Sequence, residues 1–135
     1  MQLVKISDLL NFIKINDTAD IYLSLSNNKL REYIWNCLKK KAFYFVHKDK
    51  ELVGLIEWYR LPDFKTLLSI SRHKKHLFNV KHGKLLWIQN TIFIKGHLNM
   101  RVYREFLSIH TGVEHALWWR YKNKRIFGHK MRGRK

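Results

Sequence analysis

Residues 85–109 read LLWIQNTIFIKGHLNMRVYREFLSI and divide at their only glycine, Gly96. Leu85 to Lys95 is rich in Ile, Trp, Thr and Phe, side chains that fit a pleated and half-buried surface, so this half predicts a strand. Beyond Gly96, Asn99 is placed to cap a helix. Val102, Tyr103, Phe106, Leu107 and His110 then recur at helical spacing through Ile109, and Gly112 stops the run.

The stretches on either side complete the pattern. Residues 113–131, VEHALWWRYKNKRIFGHKM, predict a hairpin around KNK. A period of two sends Ala116, Trp118 and Arg120 to one face and His115, Leu117, Trp119 and Tyr121 to the other, so the adjacent tryptophans cannot share a layer. Trp119, grouped with Leu117, reads as core. Trp118 reads as the ring that meets a ligand or a covering helix. Two plain structural tryptophans and a base-stacking role for Trp118 both stay open at this level. Upstream, residues 42–61, AFYFVHKDKELVGLIEWYRL, predict a hairpin with a polar turn at Asp49. Both faces of its arms are apolar, which predicts central strands covered on both sides.

Elsewhere the signals are shorter. Residues 1–7, MQLVKIS, read as a short strand. SDLLNFIKIN places Leu9, Leu10, Phe12 and Ile13 on a helix that Ser7 or Asp8 would cap. NKLREYIWNCLKKK spaces Leu30, Ile34 and Leu38 one turn apart and ends on lysines, which suit a helix C-terminus. A further helix is expected from Asp63 to about Ser71, with Phe64, Leu67 and Leu68 turned inward, before a turn at Gly83. The resulting order, β-α-α-β-β-α-β-α-β-β, is of the α+β class (α/β-like), with a central, mostly antiparallel sheet flanked by helices.

Composition bounds the rest. At 135 residues, 46% of them hydrophobic, the chain has the size and core of one domain; a single proline and six glycines leave little room for a linker. We assign residues 1–131 to that domain and 132–135, RGRK, to a basic flexible tail. Cys37 is the only cysteine, so no intramolecular disulfide forms, and a cytoplasmic, reducing setting suits the chain. No apolar run approaches the roughly 20 residues that cross a bilayer. The start has neither the charge pattern nor the small-residue cleavage site of a secretory leader.

Charge is the strongest compositional signal. Lys and Arg number 27 against 10 Asp and Glu, a net charge of +17. No acid occurs between Phe64 and Arg104, and none after Glu114. Such a surface invites an anionic partner: nucleic acid or a phosphorylated cofactor. His73, His76 and His82 cluster in sequence, but lysines and arginines surround them and no carboxylate or cysteine is near. No metal is expected there. Cys37, inside an amphipathic pattern, reads as a small core residue.

The three stretches 42–61, 85–109 and 113–131 together resemble the GCN5-related N-acetyltransferase (GNAT) family, about two thirds of the chain by pattern. They look most like the short, divergent members found in phages and mobile elements. The resemblance implies a single GNAT-like domain and an acyltransferase using acetyl-CoA or a similar acyl thioester. It also implies that the strand before Gly96 splays from its neighbour to admit pantetheine. The pyrophosphate would then meet Ile94, Lys95, Gly96, His97, Leu98 and Asn99, with Arg101 adding charge. A helix N-terminus, with its unpaired N–H groups and partial positive charge, suits that use. The family's glycine-rich turn is reduced here to Gly96. By position, Glu57 is the candidate base and Tyr121, or else Tyr103, a candidate acid. LLWIQNTIFIKG is also similar to the aspartate-bearing strand of the toxin-activating acyltransferases, with Gln89 standing where the aspartate would fall. The alternative is a non-catalytic nucleic-acid binder on the same scaffold, presenting Trp118, Arg120, Lys122, Lys124, Arg125, Lys130 and Arg132. That protein would be packaged with nucleic acid if phage-derived.

Overall fold

The computed structural model describes residues 4–18, 20–73, 75–120 and 125–130. Two helices come first, α1 (Ile6–Asn16) and α2 (Asn27–Lys39). The hairpin β1 (Phe43–Lys48) and β2 (Glu51–Leu61) follows, then α3 (Phe64–His73), β3 (Leu85–Phe93), α4 (Met100–Ser108), β4 (His115–Arg120) and β5 (Arg125–Lys130). The five strands form one sheet in the order β1-β2-β3-β4-β5. Every neighbouring pair is antiparallel except β3 with β4, which run parallel. This is the α+β architecture expected, a mostly antiparallel sheet with helices on both faces.

Local chemistry explains most boundaries. Ser26 caps α2 by accepting the Lys29 amide at 3.4 Å, and Asn99 caps α4 by accepting the Val102 amide at 3.1 Å. The β1–β2 connection is a two-residue turn in which Asp49 and Lys50 both take positive φ, 51° and 68°. That is the backbone hand that matches the twist of the flanking strands.

Among the described residues the first strand does not form, and residues 1–3 of that reading lie outside them. Val4 and Lys5 lie in no strand, and α1 has begun by Ile6 without a side-chain cap. Ser7 and Asp8 sit inside its first turn, where the charge of Asp8 favours the helix N-terminus but caps nothing. The apolar residues Val4 and Ile6 serve α1 and pack on its core instead of on a sheet. Phe64 is 45% exposed, not inward, because Leu67 and Ile70 supply the buried face of α3. The first hairpin arm, β1, is half-buried and lies at the edge of the sheet, so only β2 is covered on both sides as expected.

Two layers of core result. Helices α1, α2 and α3 cover the face carrying Leu55, Tyr59, Leu61, Leu85, Trp87 and Ile92. Helix α4 covers the opposite face through Phe106 and Leu107, against Ile56, Leu86, Ile88 and Ala116. Each fully buried Leu, Ile or Phe here contributes about 1.5–3 kcal/mol. Just beyond α4, His110 is buried between Trp58 and Phe106, ring centroids 4.5 and 4.8 Å away. Burial first, and then the nearby Arg60 charge, push its imidazole down to about 4. Its Nε2 and the Trp58 Nε1 have no hydrogen-bond partner among the described residues.

Candidate functional site

Strand β3 organises the site. Among the described residues its parallel pairing with β4 runs from Leu85↔His115 to Ile88↔Trp118, although β3 itself continues to Phe93. On its other side, the register with β2 shifts at the same point: Glu57 faces Asn90, whereas Trp58 faces Ile88. Gln89 is thus the extra residue of a bulge, set where β4 parts from β3. Such a residue drops out of the backbone ladder and re-aims the side chains that follow. Because of the bulge, Asn90 and Ile92 join the face of Leu85 and Trp87.

Beyond the parting, the chain turns through Gly96 into α4. Gly96 has φ +86°, and a Cβ built there would meet nothing within 4 Å, so the glycine is set by backbone conformation and the space beside it is open. The His97 amide is engaged by the Ile94 carbonyl at 3.0 Å. In the first turn of α4, the Val102 amide goes to the Asn99 side chain and the Tyr103 amide to the Asn99 carbonyl. Lys95, Leu98, Asn99 and Arg101 are exposed, and Ile94 and His97 are half-buried. Arg101 pairs with Glu105 at 3.3 Å. The six residues 94–99 are therefore held together on one rim, with Arg101 tied back along its own helix. Replacing Asn99 with alanine is expected to cost about 1 kcal/mol in urea unfolding, the usual loss for an N-cap.

Glu57 is the other focus. It is wholly buried, neither solvated nor ion-paired among the described residues. Its Oε1 accepts from the Tyr22 hydroxyl at 2.7 Å and the Asn90 amide at 2.9 Å. Its Oε2 accepts from Tyr33 at 2.5 Å, from Tyr59 at 2.6 Å and, more distantly, from the Cys37 thiol at 3.7 Å. A carboxylate offers about four acceptor sites, and these neutral donors fill them. Burial, reinforced by the Glu57 charge, pushes the Tyr22, Tyr33 and Tyr59 hydroxyls well above their usual range and the Cys37 thiol up to about 12. All four therefore remain protonated. Asp17 sets the position of Tyr22, because its buried carboxylate accepts the amides of Ile21, Tyr22 and Leu23 at 2.9, 2.7 and 3.0 Å. Tyr33 is the half-buried member of the cluster.

Trp118 is half-buried with its ring edge-on to Tyr103 of α4, 6.2 Å between centroids, so it meets the covering helix. Leu117 packs on the opposite face, as the alternation requires. Arg120, Arg125 and Lys130 are placed by backbone in β4 and β5. Tyr121, Lys122, Lys124 and Arg132 lie outside the described residues. No group of three or more metal-ligating side chains occurs among the described residues. None of their helices is long and apolar enough to cross a membrane. An open groove of about 590 Å3 runs between α1 and the β1–β2 turn, with Ile94 on its wall.

No protein-family model matches the sequence, and no curated protein matches it by sequence. Solved structures do resemble the fold. The loading GNATL domain of CurA from Lyngbya majuscula superposes with a TM-score of 0.55 at 15% identity, over 90% of this chain and 66% of that one. The GphF GNAT-like decarboxylase in complex with isobutyryl-CoA gives 0.56 at 16% identity, over 87% of this chain and 63% of that one. The chain thus spans a little under two thirds of the length of these structures. Its fold is GNAT-like.

Proposed function

We propose that this chain is a small acyltransferase that holds acetyl-CoA or a similar acyl thioester along the parting of β3 and β4. The observation that carries this reading is the lapse of both β3 ladders at Gln89, followed by the open turn at Gly96 and the N-terminus of α4. The bound isobutyryl-CoA named for one structural neighbour supports it. The phosphates of such a cofactor would meet the rim 94–99, with Lys95 and His97 adding to the partial positive charge of the helix. The net charge of +17 attracts such an anionic ligand.

A bound thioester would supply an activated acyl carbon. Gln89, outside the ladder, offers backbone groups to orient it. Glu57 acts through Tyr33, the half-buried member of the cluster: an acceptor proton passes to the Tyr33 oxygen as the Tyr33 proton moves to Glu57. Tyr121 is the candidate acid for the leaving thiolate. This reading places the protein in the cytoplasm, where the Cys37 thiol stays reduced.

Calorimetric titration with acetyl-CoA and isobutyryl-CoA, beside a short DNA duplex, tests the assignment. Thioester binding is expected at both low and moderate salt. If neither thioester binds while the duplex does so in a salt-sensitive way, the chain is the non-catalytic nucleic-acid binder instead. Gly96→Val is expected to weaken thioester binding about tenfold, since a β-branched residue resists the left-handed conformation. Unchanged affinity in that variant would remove Gly96 from the site.

A further inference from the structure

We propose that the basic surface where α2 and α3 end is a sequence-independent site for the phosphodiester backbone of nucleic acid, separate from the cleft beside Gly96. Helix α2 ends in Lys39 and runs on into Lys40 and Lys41. Helix α3 ends in Arg72 and His73, and the segment after it carries Lys75, His76, Lys81 and His82. These two basic runs are far apart in sequence, and the fold fastens them together. The Lys40 ammonium donates to the Leu77 carbonyl at 3.2 Å, and the Asn79 amide donates to the Lys40 carbonyl at 3.3 Å. Asn79 also accepts the Arg60 amide at 2.7 Å, and the Val80 amide donates to the Arg60 carbonyl at 2.8 Å, which pins the segment to β2. Leu77 anchors it below, on the core formed by Cys37, Ala42, Leu67 and Ile70.

Fixing like charges side by side is unfavourable unless a polyanion receives them. Lys39, Lys40, Lys41, Arg72, Lys75 and Lys81 are all exposed, and among the described residues none has an ion-pair partner. Asp63, the acid nearest in sequence to the second basic run, is occupied by the amide and hydroxyl of Thr66 at 2.7 and 2.8 Å. Phe78 stands 43% exposed in the middle of the basic segment. An apolar ring in water among cations is the arrangement on which a nucleobase stacks. Among the described residues the exposed aromatic rings are Trp35, Phe64 and Phe78, which stand far apart in sequence, unlike the apolar stripe that enters a lipid bilayer. The histidines, without a carboxylate or thiolate near them, suit phosphate oxygens better than a metal ion.

The test is fluorescence anisotropy of the full chain with a labelled oligonucleotide of roughly 20 nucleotides, single-stranded and duplex, between about 50 and 200 mM salt. The duplex is expected to give a log–log salt slope of about −5, for six phosphate contacts. The triple variant Arg72→Gln, Lys75→Gln, Lys81→Gln, shown folded by circular dichroism, is expected to flatten that slope by about 2–3 and lower affinity about tenfold or more. Phe78→Ala is expected to weaken the single strand about fivefold or more and leave the duplex unchanged. Arg120→Gln with Arg125→Gln and Lys130→Gln retains binding, and saturating acetyl-CoA does not compete. The proposal is overturned if the folded wild-type chain binds neither oligonucleotide, or if the hairpin variants rather than the triple variant abolish binding. Displacement of the oligonucleotide by acetyl-CoA, or capture only by phosphatidylserine vesicles, overturns it as well.

Discussion

Replacing Glu57 by alanine is expected to lower stability by about 4 kcal/mol, the range seen when one partner of a buried charged network is removed. The loss comes from the groups left behind. Tyr22 and Tyr59 would keep buried hydroxyls without their carboxylate acceptor, and each such orphan costs about 1–3 kcal/mol. Relief from desolvating the carboxylate offsets part of that sum. Against a total of about 5–15 kcal/mol, the variant is marginal. Three further variants separate the causes. Glu57→Gln keeps the volume and one strong acceptor and is expected to lose about half as much. Tyr22→Phe and Tyr59→Phe, which remove a donor instead of orphaning one, are expected to cost about 1 kcal/mol each. Urea unfolding of the four variants checks this ordering. An alanine variant within about 1 kcal/mol of wild type would show that the cluster does not hold the sheet to α2.

His110 is expected to make the chain acid-sensitive. The imidazole of the unfolded chain takes up its proton near pH 6.5, and the folded one only at about 4. Between those values the unfolded state holds the extra proton, so stability falls as pH drops from 6.5 toward 4 and levels off below that. The span corresponds to about 2 kcal/mol once residual solvent screening is allowed for. His110→Phe keeps an aromatic ring against Trp58 and Phe106 while removing both the titration and a buried polar atom without a partner. Its stability is expected to match or exceed wild type at pH 7 and to exceed it clearly at pH 5. Parallel acid limbs for the two proteins would assign the sensitivity elsewhere.

Both hairpins and the strand–turn–helix at 85–109 were legible because their signals are local. Asn99 caps the helix that its position announces, and the two-residue turn at Asp49 joins arms of the right composition. From Ala116 to Trp118 the alternation held because strand geometry allows no other outcome, while the side chain of Trp119 lies outside the described residues. The N-terminal strand failed because Val4 and Ile6 fit an amphipathic helix as well as a strand. Phe64 failed because inward direction on a short helix depends on what it faces. The surroundings of Glu57 could not be read by spacing, since its donors come from positions 22, 33, 59 and 90. One clue was present: an acid between Ile56 and Trp58 in a strand apolar on both faces has to be buried, and then needs donors. The bulge at Gln89 left no mark in the residue types. It is fixed by pairing on both sides of β3 at once.

The irregularity between Val46 and His47 also bears on how the molecule behaves when concentrated. An outermost strand with aromatic residues along it is a template onto which another polypeptide can zip. Here the slip leaves Val53 of β2 unpaired, which sharpens the local twist of the strand pair, and the border strand is short and ends in Lys48, so an incoming strand could not stay in step for long. Self-recognition is discouraged by shape at this border as well as by mutual repulsion, leaving the cationic surfaces available to a different kind of molecule.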